Sequence, residues 1–230
     1  MDRWETFHSA NSSSRDAHDG ALHRRFDDLV LRTRVAFPLA GGAYYRAESV
    51  IRFTHGARTW QSATYRSEPD GQRSHVDRVS SGLDADTMPS YGEFVLLADL
   101  ISSGEPAVRY IRLDDSDPVG GADRATLERQ GTETVTPPGG TPFEARRYGV
   151  VVDREQIGTH WVVDRRVEMS DWNGATSVHV DSAAKALAGL PDAVVAFLLR
   201  GFDGERGDGA GGPDGARTGD PAPRGKGVYG

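Results

Sequence analysis

The chain has 230 residues, with 27 Lys and Arg against 34 Asp and Glu, a formal net charge of −7, and no cysteine. Arginines are interleaved with carboxylates throughout, so the clustered basic face that neutralises phosphates is missing and no nucleic-acid partner is expected. Without thiols there are no disulfides, thiolate zinc sites, iron–sulfur clusters or cysteine nucleophile.

The N-terminal stretch MDRWETFHSANSSSRDAH has no apolar run and reads as a disordered segment over residues 1–20. It also lacks the apolar core of a secretory signal. No segment approaches the ~18 apolar residues that cross a bilayer, so no membrane insertion is expected. These two readings together lead to the expectation of a cytoplasmic protein.

Residues 21–37 begin with helical character and pass into alternation, with Leu29, Leu31, Thr33, Val35 and Phe37 on one face. That period of two predicts a half-buried strand. After the turn Pro38–Gly42, the alternation of Tyr45, Ala47, Ser49, Ile51 and Phe53 predicts the next strand. Trp60 and Tyr65 lie in a third, which ends at the turn Glu68-Pro69-Asp70-Gly71. Gln72–Ser81 reads as a polar strand. Phe94, Leu97, Ala98 and Ile101 then recur at helical spacing, and Ser90 with Glu93 has the form of a capping box. This predicts one short internal helix. A strand returns over Pro106–Leu113. Residues 131–172 read as four consecutive strands joined by tight turns. Asn173-Gly174 is the strongest hairpin signal in the chain and leads to a final strand, ATSVHV.

Leu187, Leu190, Val194, Phe197 and Leu198 form an apolar stripe on a C-terminal helix interrupted at Pro191. Residues 203–230, almost entirely Gly, Pro, Asp, Arg and Ala, cannot bury enough apolar surface to offset their ordering entropy and read as a disordered tail. A single domain over 21–202 remains. Its class is mainly β: about eight or nine strands in an antiparallel curved sheet, a half-barrel wrapped on the C-terminal α-helix, with one short internal helix.

Two pieces of the meander resemble a known family. Glu133-Thr134-Val135-Thr136-Pro137, followed by Gly140-Thr141-Pro142-Phe143-Glu144-Ala145-Arg146-Arg147-Tyr148, is similar to an "ETV-x-TPAGTF-x-A-x-R-Y" element of the half-barrel superfamily of bacterial lipoprotein carriers, in its uncharacterised-domain branches. Gly158-Thr159-His160-Trp161-Val162-Val163-Asp164 is similar to its "G-T-x-W-V-D" strand. The resemblance implies a concave face that takes acyl chains or other apolar ligands. It also implies that a few relatives are cofactor-free enzymes. No signal peptide is expected from the N-terminal stretch, so periplasmic lipoprotein transport is not the expected role.

Candidate chemistry is sparse. Thr159, Trp161 and Val163 are the face expected to point inward, with Trp161 as a core or ligand-stacking residue; His160 shares the opposite face with Val162 and Asp164, where a His–carboxylate pair could move a proton. Tyr44, Arg46 and Glu48 lie on one face of a strand, either as the polar wall of a pocket or as an outward salt-bridge ladder. Trp60, Tyr148 and Trp172 complete the candidate ligand-binding residues. The histidines lack metal-ligand spacing, no serine lies in a nucleophile elbow, and no glycine pair opens a dinucleotide-binding helix, so neither a metal nor a cofactor is expected. The leading expectation is binding of a small, largely apolar molecule in the concavity. A cofactor-independent enzyme acting on such a molecule is the alternative, and a structural or partner-binding domain with a plugged barrel is the third. Oligomeric state and ligand identity are open at this level.

Overall fold

The structure is a computed structural model that describes residues 1–9, 17–54, 59–118, 120–172 and 174–204. Thirteen strands form one sheet: β1 (Asp2–His8), β2 (Gly20–Asp27), β3 (Val30–Pro38), β4 (Tyr44–Phe53), β5 (Trp60–Glu68), β6 (Arg73–Asp77), β7 (Thr87–Pro89), β8 (Ala107–Leu113), β9 (Ala122–Val135), β10 (Phe143–Val152), β11 (Glu155–Val163), β12 (Arg166–Trp172) and β13 (Ala175–Val180). Among the described residues, three α-helices accompany them, α1 (Glu93–Ser103), α2 (Ala183–Leu187) and α3 (Asp192–Gly204), with a 3-10 turn at Ser90–Gly92 leading into α1. The sheet order is β6-β5-β4-β3-β2-β1-β13-β12-β11-β10-β9-β8-β7, antiparallel except where β7 meets β8. The expected class holds: mostly strand, in one large, curved, unclosed antiparallel sheet.

Local chemistry explains the hairpins. Asp28-Leu29, Asp153-Arg154 and Asp164-Arg165 all adopt positive φ, from 46° to 77°. That is the geometry of the two-residue turn whose twist matches paired strands, and Asp tolerates it better than most residues with a side chain. Gly131, at φ 122°, sits where the β9–β10 register slips between Arg147 and Tyr148. Such a bulge bends the long β9 strand.

Curvature brings the two ends of the sheet face to face. Leu31, Ile51, Phe53 and Trp60 from one half share a core with Tyr110, Leu127, Tyr148, Val150 and Val162 from the other. Leu97, Leu100 and Ile101 of α1 lie between them. The seam between the unpaired edges is held by side chains. Trp60 Nε1 donates to the Thr87 carbonyl at 2.7 Å, and Ser74 Oγ donates to the Asp115 carbonyl at 2.5 Å.

Three expectations are corrected here. The helix inside the concavity is α1; the C-terminal helix packs on the convex face. There Val194, Phe197, Leu198 and Phe202 bury against Ala21 and Ala36, with Trp4 and Tyr44 alongside. The stripe told which residues of α3 bury but not which side of the sheet receives them. Secondly, the first part of the segment read as a loose end over 1–20 is a strand, because Asp2–His8 pairs with both β2 and β13. Thirdly, the stretch from Ala21 starts as strand, not helix: Gly20, Ala21, Leu22, His23 and Arg24 of β2 are all buried, since both faces of that part are covered, and a strand covered twice shows no alternation. Strands β1, β2 and the three-residue β7 help raise the count above that expected. Residues 10–16, Asn173 and the tail from 205 lie outside the described residues.

Gly201 ends the regular part of α3 at φ 74°, which turns Phe202 back so that its N–H reaches Glu48 Oε2 at 3.3 Å. Leu198, fully buried against the convex face, tests the docking. Leu198→Asp is expected to cost about 3 kcal/mol or more, because it buries a charge without a partner. An unchanged denaturant midpoint would mean that α3 does not dock on the sheet.

Candidate functional site

The inner face carries an unusual polar layer where β1, β2, β11, β12 and β13 meet. Alternation along β1 points Arg3, Glu5 and Phe7 inward. Glu5 is completely buried, and Arg3 and Arg24 are nearly so, at 6% and 4% exposure. Glu5 Oε1 accepts Arg3 Nε at 2.8 Å and also accepts Arg24 Nη1; Oε2 accepts Ser177 Oγ at 2.6 Å. Arg3 Nη2 donates to the Val167 carbonyl at 2.5 Å. Both guanidinium groups lie over the ring of Phe94 on α1, 5.5 and 4.6 Å from its centroid. Burial alone would raise the Glu5 pKa. The guanidiniums of Arg24 and Arg3 and the Ser177 hydroxyl outweigh it and hold the carboxyl at about 2.

His160 lies in the same layer. Its Nδ1 is 2.8 Å from Ser170 Oγ, and its ring meets that of Trp172 edge-on at 4.9 Å. Burial, helped by the charge of Arg24, lowers its pKa to about 3, so the imidazole is neutral at physiological pH. Trp172 lies across Gly158, whose Cβ position would be 3.4 Å from the indole. The indole Nε1 is buried without a hydrogen-bond partner, as is Thr33 Oγ1, which sits opposite Arg24 across the β2–β3 pair.

Above this layer the inner face turns aromatic. Phe7, Leu22, Val35, Ala47 and Tyr65 form a buried cluster against which Phe37, Tyr45, Tyr91 and Trp172 pack half-buried. The Tyr45 and Tyr65 hydroxyls are hydrogen-bonded to each other. The opposite, α1-filled end is solid core. The concave face is therefore plugged at one end and presents half-exposed rings over a charged floor at the other.

The sequence candidates separate into four groups, Trp161 forming one by itself. His160 and Trp172 come together at this end. Trp60 and Tyr148 face inward but belong to the solid core, with Trp60 fully buried and engaged with Thr87. Tyr44, Arg46 and Glu48 lie on the convex face under α3: Glu48 accepts Arg34 Nε at 2.7 Å, and Arg46 pairs with Glu68 at 2.5 Å while lying over Phe197 and Phe202. The expected orientation of β11 is reversed. Gly158, His160 and Val162 point inward, whereas Trp161 is half-buried on the outside and donates from Nε1 to Glu133 at 2.8 Å. The β9–β10 hairpin reaches far enough to cover part of that indole, and the buried Ser170 hydroxyl gives the inward imidazole its partner. Ser90 and Glu93 form no capping box either. Ser90 Oγ donates to Asp115, and Glu93 accepts from Tyr110 Oη and Arg112 Nε, each at 2.8 Å.

Sequence reasoning missed Arg3, Glu5, Arg24 and Phe94. The first three sit in short charged stretches that read as solvated surface, and only the pairing of β1 with both neighbours shows them to be interior. Among the described residues, no group of three or more His, Asp or Glu side chains is placed to hold a metal ion, and no helix is long and apolar enough to cross a membrane. A shallow depression lined by Arg25, Asp27, Asp28, Val30, Arg32 and Arg52 lies on the convex side, away from the polar layer.

No family model matches the chain, and no curated protein matches it in sequence. Two solved structures are similar in outline. One is a protein of the DUF1089 family from Pseudomonas aeruginosa, 12% identical, with a TM-score of 0.41 over 71% of this chain and 94% of that one. The other is a β-barrel-like protein, a domain of unknown function (DUF1849) from Brucella abortus, 6% identical, with a TM-score of 0.40 over 78% of this chain and 94% of that one.

His160 makes the polar layer measurable. Its folded pKa lies below the ordinary value of 6.5, so the unfolded chain binds a proton that the folded one refuses. The stability this contributes is complete above pH 6.5 and drains away as pH falls towards about 3. Between pH 6.5 and 5, wild-type stability should fall more steeply than that of His160→Gln, by up to about 1.4 kcal/mol per pH unit. Parallel slopes for the two proteins would place the imidazole in water.

Proposed function

We propose that the protein binds a small, largely apolar molecule at the aromatic end of its concave face. The observation that carries this reading is the set of half-buried rings, Phe37, Tyr45, Tyr91 and Trp172, gathered on an inward-facing surface. Concave apolar walls with a few placed polar groups are the usual make-up of a ligand site. Trp172 adds a buried indole N–H that has no protein partner, and a buried donor left unmade costs free energy that a ligand acceptor would recover. The likeness of residues 131–172 to the lipoprotein-carrier half-barrels points to the same class of ligand. Because α1 fills the other end of the concavity, the molecule is held near the rim and not along the whole barrel axis.

A second reading has its own observation. A neutral imidazole 2.8 Å from a serine hydroxyl, beside an aromatic surface, is a pair able to accept and return a proton, so a cofactor-independent enzyme acting on the bound molecule draws on His160 and Ser170. Binding is the step common to both readings.

N-phenyl-1-naphthylamine, neutral and apolar, tests binding through its rise in fluorescence. A dissociation constant of about 10 μM or below is expected, weakened at least about fivefold by Phe37→Gln, which removes an aromatic wall and keeps the strand. No signal at roughly 100 μM probe would overturn the proposal, as would an affinity indifferent to Phe37.

A further inference from the structure

Three arginines gather on the convex face, on the other side of the sheet from the concave site. Arg25 on β2 and Arg32 on β3 are directly opposite each other in the ladder. Arg32 is in turn opposite Val50 on β4, and Val30 is opposite Arg52, so Arg32 and Arg52 are diagonal neighbours across the β3–β4 pair. Alternation turns all three side chains outward, where they are exposed. Directly opposed side chains start about 5 Å apart and diagonal ones about 7 to 8 Å apart, both within the length of an arginine side chain. Val30 lies among them in a depression of about 450 Å³, which the three arginines line together with Asp27 and Asp28.

Like charges directly opposite each other destabilise a sheet, so the Arg25–Arg32 pair is not there for folding. The carboxylates nearby are engaged elsewhere or stand apart. Asp27 pairs with Arg25 at 2.9 Å, and Asp2, which faces Arg25 from β1, is bonded to His23 at 2.7 Å. Asp28 stands on the β2–β3 turn, and among the described residues neither Arg32 nor Arg52 has an ion-pair partner. The two present direction as well as charge, because each guanidinium is a planar fork of N–H donors. A carboxylate has two oxygens and satisfies one fork. A phosphate monoester has three free oxygens, carries close to two negative charges at neutral pH and accepts from two forks at once. We propose that the depression binds the phosphate group of a small phosphate monoester, held by Arg32 and Arg52 and supported by Arg25, with its organic part over Val30. Exposed ion pairs are weak and screened by salt, so the binding is modest and salt-dependent.

Phenyl phosphate and benzoate, titrated at low salt and neutral pH and followed through backbone amide NMR shifts, test this. Phenyl phosphate is expected to shift the amides around Arg25, Arg32 and Arg52 saturably, with a dissociation constant of about 1 mM or below. Benzoate should bind at least about fivefold more weakly. Arg32→Gln and Arg52→Gln, at exposed positions that leave the core intact, should each weaken phenyl phosphate by about fivefold or more. Arg109→Gln removes the same charge from an exposed position on β8 and should leave the affinity within about twofold. Equal weakening by all three substitutions would overturn the proposal, because it would reduce the effect to overall charge. Equal affinity for benzoate would overturn the phosphate assignment, and no shift at about 20 mM phenyl phosphate would overturn the site.

Discussion

Strand β1 is the joint on which the molecule depends. The strands β2 to β6 form one run of neighbours and β13 back to β7 another, and the residues Asp2–His8 are paired with the inner edge of each. Without β1 those two edges would present unpaired backbone groups to each other, and the curved sheet would divide into two pieces around α1. Glu5 reinforces the joint with side chains, since its carboxylate links Arg24 on β2 to Ser177 on β13 as well as Arg3 on its own strand. The strand that closes the fold is thus also the strand that carries the charge of the polar layer.

This coupling accounts for the division of the concave face. At one end the two halves of the sheet close on α1, and apolar packing is complete around Trp60, Leu97, Tyr148 and Leu127. At the other end the layer of Arg3, Glu5, Arg24 and His160 interrupts that packing, and the aromatic residues above it remain half exposed. A buried ion cluster is poor at stabilising a fold compared with apolar residues of similar volume. Its presence at the centre of the sheet is therefore not explained by stability, and its hydrogen bonds join β1, β2 and β13. The outer layer of α2 and α3 supports β2 and β3 from behind, through Ala21 and Ala36, and Arg34 on β3 ties the sheet to α3 through the carbonyls of Leu198 and Leu199.

Much of this architecture was legible in the residues. The alternation in β3 and β4 named the inward set correctly, from Leu31 and Val35 to Ala47, Ile51 and Phe53, because each of those strands buries one face more completely than the other. The apolar stripe of α3 was equally clear. Strand β1 was not, because DRWETFH places Arg3 and Glu5 on the buried face, and a charged residue announces solvent unless its partner is known. Those partners, Arg24 and Ser177, come from strands adjacent only in the folded sheet. The reversed face of β11 has a related cause. Trp161 looked like the core residue and His160 like the exposed one, yet Ser170 satisfies the imidazole inside while Glu133 satisfies the indole outside. Long-range hydrogen bonds decided both orientations, and periodicity cannot report them.

Native-state hydrogen exchange of the β1 amides tests this account most directly. If β1 is the joint, the amides of Trp4, Glu5, Thr6 and Phe7 exchange only through global unfolding, with the same free energy as the core amides of β3 and β4. Rapid exchange of those amides, at the rate of a fraying terminus, in a protein whose β3 and β4 amides stay protected, would contradict it.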